Sequence, residues 1–187
     1  MSGRLFVISS PSGGGKSSVI RALRDRNPNL AYSVSATTRP PRPGEKNGTE
    51  YHFFPEGEFK RRIAEGAFLE WAVVHGHYYG TLREQVRLLL EEGRDVLLDI
   101  DVQGGLAIKE SEPEAILVFL LPPSMEALRE RLRARGTDSQ DVVAARLANA
   151  AEEMVSADRY DYQVWNRDLE DAVEEVAAII EAFDREH

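Results

Sequence analysis

The 187-residue sequence predicts an α/β fold in three layers, a central parallel sheet between helices. Three observations carry this. Short, continuous apolar runs recur at Arg4–Ser9, Val96–Ile100 and Ala115–Leu121, as suits strands buried on both faces. Segments with apolar residues at helical spacing lie between those runs, so strand and helix alternate along the chain. A glycine-rich turn joins the first run to the first helix, and right-handed crossovers bring successive strands into one sheet.

After Arg4–Ser9 and its turn, Ser17–Asp25 reads as a helix with Val19, Ile20 and Leu23 on one side. Tyr32–Ser35 is a short strand candidate. Ala36–Tyr51 is rich in Thr, Pro, Arg and Gly and reads as a structured loop. Phe59–Glu65 suits a short helix, and Phe68–Val74 and His77–Gly80 are extended pieces around a turn at Gly76. Leu82–Glu92 repeats apolar residues at helical spacing and stops at Gly93, a residue that suits the end of a helix.

The strand Val96–Ile100 ends in Asp-Ile-Asp and leads to a helix over Val102–Glu110. Ala115–Leu121 is stopped by Pro122-Pro123, and Ser124 caps a helix running to Arg135. A turn at Gly136–Ser139 leads to a helix ending at Met154. Tyr162–Trp165 is the last strand. An amphipathic helix follows from Asp168 to about Phe183, its apolar stripe fitting either core or an interface. Ser35 to about Thr81 breaks the strand–helix rhythm and reads as an inserted, strand-containing subdomain.

The length suits one domain with a real core. The formal net charge of -9 disfavours non-specific nucleic-acid binding, so phosphates must be handled by a local basic cluster. No apolar run could cross a bilayer, and the start Met-Ser-Gly-Arg-Leu lacks a signal-peptide pattern. Without cysteine there are no disulfides or thiolate metal sites. The expectation is a cytoplasmic protein with no nucleic-acid or membrane partner, and a homo-oligomer stays open.

The basic cluster begins in the glycine turn. Ser12-Gly13-Gly14-Gly15-Lys16-Ser17-Ser18 lies between the first strand and the first helix. In a P-loop, backbone amides wrap the phosphates, the lysine reaches the β and γ groups, and the hydroxyl holds magnesium. Gly15, Lys16 and Ser17 match in order, with Ser10 where the pattern has its first glycine. A flexible Gly-Ser turn is the blander reading, disfavoured by the strand before and the helix after. The expected cofactor is Mg2+ with ATP, with Ser17 at the metal and Asp99, at its strand end, behind it. Helix capping is the simpler alternative for Asp99.

Arg39 and Arg42 stand in a proline-stiffened loop, where guanidinium groups can hold phosphate oxygens. Alone, that loop reads better as a solvated surface. Ordered blocks surround it: Ser33–Arg39 with Arg42–Glu45, Asn47-Gly48, Tyr51, Phe68–Ala72, Tyr78–Thr81, Leu98–Gly104, Pro122–Ser124, Arg131-Leu132, Arg135–Thr137, Arg146-Leu147 and Asn166. On these blocks nearly the whole chain resembles the guanylate kinase family.

The resemblance implies a P-loop core over 1–34, 82–124 and 147–187, a GMP-binding subdomain over 35–81 and a small helical lid over 125–146. It implies phosphoryl transfer from ATP to GMP, with dGMP a second acceptor, in purine nucleotide metabolism. Ser12, Gly13, Gly14, Gly15, Lys16, Ser17 and Ser18 would bind ATP. Asn166 would lie near its adenine, although Asn166-Arg167-Asp168 stands where the family usually has Asn-Asp-Asp. Arg39, Arg42, Tyr51 and Tyr79 would hold the GMP phosphate, with Glu45 in the same set. Ser35, Glu70, Thr81 and Asp101 would read guanine, because a carboxylate accepts from its N1–H and exocyclic amine and adenine lacks that donor pair.

Lys16, Arg39 and Arg42, with Arg131, Arg135 and Arg146 from the lid, would neutralise the transferring group, and no general base is required. Arg129 and Arg133, beside Glu126 and Glu130, read as a solvated face. Trp71 and Tyr78 read as packing, and His52, His75 and His77 as structural or surface residues. Two rivals stand beside the enzyme: a guanylate-kinase-like phosphopeptide-binding domain without catalysis, and a P-loop kinase for a phosphorylated sugar.

Overall fold

The structure, a computed structural model, describes residues 3–74, 76–134 and 140–184. Its central strand is β1 (Leu5–Ser9), buried at every residue. The chain continues through α1 (Lys16–Arg26), β2 (Ala31–Tyr32), β3 (Ala36–Thr37), β4 (His52–Phe53), α2 (Glu56–Ala64), β5 (Phe68–Val74) and β6 (His77–Leu82). Then come α3 (Arg83–Glu91), β7 (Val96–Asp99), α4 (Val102–Ser111), β8 (Ile116–Leu121), α5 (Met125–Ala134) and α6 (Gln140–Val155). A single 3-10 turn, β9 (Tyr162–Trp165) and α7 (Leu169–Asp184) complete it.

Five strands form a parallel sheet in the order β2-β7-β1-β8-β9. Because strand side chains alternate, each apolar run feeds two cores. Leu5 and Val7 of β1, Leu98 of β7 and Phe119 of β8 face the side covered by Val86 of α3 and Ile108 of α4. Phe6, Ile8, Leu97 and Val118 face the side covered by α1 and α7. The stripe on α7 (Ala172, Val173, Val176 and Ile180) is therefore core. Among the described residues, no helix is long and apolar enough to cross a membrane.

A second, mixed sheet has the order β4-β3-β6-β5. Its hairpin β5–β6 turns at Gly76, whose φ of 79° suits glycine. α2 closes one face, with Phe59 stacked on Phe68 at 4.3 Å between ring centroids. Two expectations need adjustment here. The strand expected at Tyr32–Ser35 is Ala31–Tyr32; beyond Ser33, whose amide still donates to the Leu97 carbonyl, the chain crosses to the other sheet. The segment expected as loop from Ala36 holds β3, which pairs with both β4 and β6.

Candidate active site

The turn after β1 is built around two glycines at positive φ, Gly13 at 85° and Gly15 at 90°. The Gly14 amide donates to the Pro11 carbonyl at 2.8 Å. Ser10, in place of the pattern's first glycine, is accommodated because residue 14 is glycine: a Cβ there would lie 2.9 Å from Ser10 Cβ. No acidic side chain occupies the first turn of α1, so its positive end stays available to an anion. Lys16 Nζ donates to the Ile100 carbonyl at 2.6 Å and pairs with Asp99 Oδ1 at 2.8 Å. Ser17 and Ser18 are exposed beside it.

Three groups brace this turn from outside. Glu153 of α6 accepts from the Ser12 amide at 3.3 Å. Asn166, 4% exposed, donates from Nδ2 to the Gly14 carbonyl at 2.7 Å. Arg131 of α5 donates to the Gly14 and Asn166 carbonyls, both at 3.4 Å. Asn166, expected beside adenine, thus lies against the backbone of the turn.

A cavity of about 250 Å³ opens between the two sheets. Lys16, Ser17, Asp99, Ile100 and Asp101 line it from the parallel sheet, and Ser35, Tyr51, Glu70, Tyr79 and Gly80 from the other. Tyr32, Ala72 and Val74 also line it and were not singled out from the sequence. A period-two reading of β5 finds the last two, since they share a face with Glu70. Trp71 and Val73 take the opposite face; Trp71 is 47% exposed and touches Tyr78, so it is a surface aromatic rather than core.

Glu70 is 9% exposed, and burial, reinforced by the charge of Asp101, pushes its carboxyl up to about 7. The buried Thr81 hydroxyl opposes that shift by donating to Oε1 at 2.7 Å. Gly104 leaves room, since a Cβ there would stand 3.0 Å from Glu70 Oε2. Asp101 caps α4, its Oδ1 accepting from the Gly104 amide at 2.7 Å. The cap considered for Asp99 therefore belongs to Asp101, while Asp99 is the partner of Lys16.

Arg39 and Arg42 are differently placed. Arg39 is half-buried, 5.3 Å from the centroid of the Tyr51 ring, which lies 5.9 Å from that of Tyr79. Glu45 accepts from Arg39 NH2 at 2.8 Å and from the Arg42 amide at 2.7 Å. Those bonds hold its carboxyl below the usual range, and they make Glu45 a holder of the arginine loop. The Arg42 side chain is exposed. Arg146 is half-buried on α6. Arg135 and His75 lie outside the described residues. His52 stacks on Phe54, and burial, aided by Arg62, lowers its pKa.

Among the described residues, no group of three or more His, Asp or Glu could cage a metal ion. One hydroxyl, Ser17, and one carboxylate, Asp99, suit a magnesium ion that arrives with phosphate and water ligands. The arrangement can thus hold a polyphosphate at one end and an acceptor with paired N–H donors at the other.

The guanylate kinase family model matches residues 2–183. A guanylate kinase of Caldanaerobacter subterraneus subsp. tengcongensis is 52% identical over 178 residues, covering 95% of this chain and 86% of the relative. The crystal structure of a guanylate kinase from Anaplasma phagocytophilum superposes with a TM-score of 0.79 at 35% identity, covering 97% of this chain and 86% of its own. A gluconokinase from Sinorhizobium meliloti 1021 shares the fold alone, with a TM-score of 0.52 at 20% identity, covering 96% of this chain and 93% of its own. The chain belongs to the guanylate kinase family.

Proposed function

We propose that the protein transfers the γ-phosphoryl group of ATP to GMP, giving ADP and GDP, with dGMP as a second acceptor. The observation that carries this reading is one cavity with Lys16 and Ser17 at its donor end and the buried Glu70–Thr81 pair at its acceptor end. The Gly13–Ser18 backbone and Lys16 bind the triphosphate. Ser17, with Asp99 beside Lys16, would hold the Mg2+ that arrives with the ATP phosphates, and that ion would supply charge neutralisation. Glu70 in its ionised form accepts from guanine N1–H and the exocyclic amine, with Ser35, Thr81 and Asp101 completing the edge.

Arg39 and Arg42, with Tyr51 and Tyr79, orient the GMP phosphate as nucleophile, and Glu45 keeps the loop in shape. Arg131 and Arg146, together with Arg135, neutralise the transferring group once 125–146 closes over ATP and 35–81 over GMP. Closure excludes water and limits ATP hydrolysis. Positioning and charge stabilisation suffice for such a transfer, so no general base is assigned. The protein acts in the cytoplasm, in purine nucleotide metabolism and GMP recycling.

The Gly15-Lys16-Ser17 sequence at a helix start disfavours a purely phosphopeptide-binding role, and a buried carboxylate suits a base with N–H donors better than a phosphorylated sugar. A coupled assay with ATP and GMP, AMP, CMP or UMP tests the reading. GMP is the expected acceptor among the four, and absence of turnover with GMP sinks it.

A further inference from the structure

Asn166 stands 152 residues from the turn it touches, at the end of β9 and behind Val164, which is fully buried. Its position is fixed independently of any ligand, because its own amide donates to the Leu121 carbonyl at 2.8 Å. From there Nδ2 donates to the Gly14 carbonyl at 2.7 Å. A trans peptide points its C=O and N–H in opposite directions, and Gly14–Gly15 is trans. Fixing the Gly14 carbonyl therefore fixes the direction of the Gly15 N–H, which faces away from Asn166. Gly15 sits at φ 90°, and a Cβ on it would come within 2.3 Å of Asn166 Nδ2, so the turn and its clamp are fitted to each other.

Backbone amides at this position of a P-loop cradle phosphate. We infer that Asn166 is a positioning residue for the triphosphate: it locks the Gly14–Gly15 peptide so that the Gly15 N–H is presented to phosphate, and it does not read the adenine base. Arg131 reaches the same Gly14 carbonyl and the Asn166 carbonyl, so the α5 helix rests on the clamped peptide. Two observations support this role: the side chain is buried, and an N–H of its amide is engaged by the turn.

The inference rests on the proposed use of ATP, and its test separates the two. Wild-type protein and N166A are titrated calorimetrically with Mg-ATP and with Mg-tripolyphosphate, which has no base, and KM for GMP is measured alongside. Loss of the clamp weakens both ligands by the same factor, roughly tenfold to a hundredfold, the effect of one buried hydrogen bond, and leaves KM for GMP unchanged. A weaker ATP with unchanged tripolyphosphate overturns the inference in favour of a base contact, and no change in either overturns it as well. If the wild type binds neither ligand, it is the ATP-using reading that fails.

N166D keeps the side-chain volume and covers the case in which the alanine variant does not fold. An ionised carboxylate cannot donate to a carbonyl, whereas a protonated one can. At pH 8, where an aspartate is ionised and has no proton to donate, N166D should bind tripolyphosphate at least roughly tenfold more weakly than wild type. Wild-type affinity in N166D at pH 8 assigns Asn166 to packing alone and overturns the inference.

Discussion

In the five-stranded sheet, β1 is buried along its whole length between two parallel neighbours. In the four-stranded sheet, β3 and β4 have two residues each, and β5 mixes buried, half-buried and exposed positions. The phosphate turn belongs to the first sheet and is braced from α6, from α5 and from the residue after β9. The arginine loop belongs to the second and is held from within, Glu45 serving both Arg39 and the Arg42 backbone and Thr37 accepting from the Arg39 amide. The difference teaches how the work is divided. On the proposed reading, the contacts to the ATP phosphates start from this braced turn, and the lid arginines join them on closure. On the same reading, most of the acceptor's contacts come from the side of the smaller sheet, with Asp101 joining them from the parallel one.

The largest effect is expected where the braced turn meets the transferring group. Lys16→Ala should lower kcat by on the order of 10²–10³, the cost of one such electrostatic donor, while calorimetry finds GMP affinity within about threefold of wild type. Equal collapse of GMP binding would show that the two sheets do not divide the work. Next in size is Glu70→Gln, which exchanges an acceptor pair for one acceptor and one donor. Loss of a charged hydrogen bond is worth about 1.5–3 kcal/mol, so KM for GMP should rise roughly tenfold to a hundredfold with KM for ATP steady. An unchanged KM for GMP removes Glu70 from the guanine site.

The same contrast governs what could be read from the sequence. Leu5, Val7, Leu98 and Phe119 could be assigned to strands because a short unbroken apolar run, in a chain that alternates strand and helix, fits a strand buried on both faces. β3 could not be, because Ala36-Thr37 carries no period and is a strand only through its partners β4 and β6. Lys16 and Ser17 were legible because their chemistry is local to one turn. The clamp by Asn166 was not, since nothing near Gly14 in sequence points 152 residues ahead. Likewise, Asp99 and Asp101 both follow an apolar strand, and only the geometry of α4 decides which one caps it.

A smaller effect follows from protonation. Burial raises the Glu70 carboxyl to about 7, so below that value it is mostly protonated and loses the acceptor proposed for guanine. GMP affinity should therefore climb roughly tenfold from pH 6 to pH 8, one unit to either side. The phosphate of GMP titrates nearby, so the quantity to measure is the ratio of wild type to Glu70→Gln at each pH. That ratio should grow through pH 7, and a flat ratio would mean that Glu70 stays ionised in the free protein. The unliganded protein should show the opposite trend in stability. With the folded value above the usual 4.5, the contribution of Glu70 is full below 4.5 and is lost as pH rises through 7.

The smallest effect, and the most discriminating, concerns Thr81. Its hydroxyl donates to Glu70 Oε1 at 2.7 Å and pulls the carboxyl down against the larger effect of burial. Thr81→Val keeps the shape and removes that donor, so Glu70 should hold its proton to higher pH. At pH 7 GMP affinity should fall severalfold, about 1 kcal/mol, because less of Glu70 is ionised. At pH 9 the carboxylate forms in either protein and the difference should shrink toward nothing, provided Thr81 acts only through Glu70. If Thr81 itself touches the base, its absence costs the same at both pH values. The pH dependence of one methyl-for-hydroxyl exchange thus decides whether the acceptor end reads guanine with one group tuned by its neighbour or with two groups side by side.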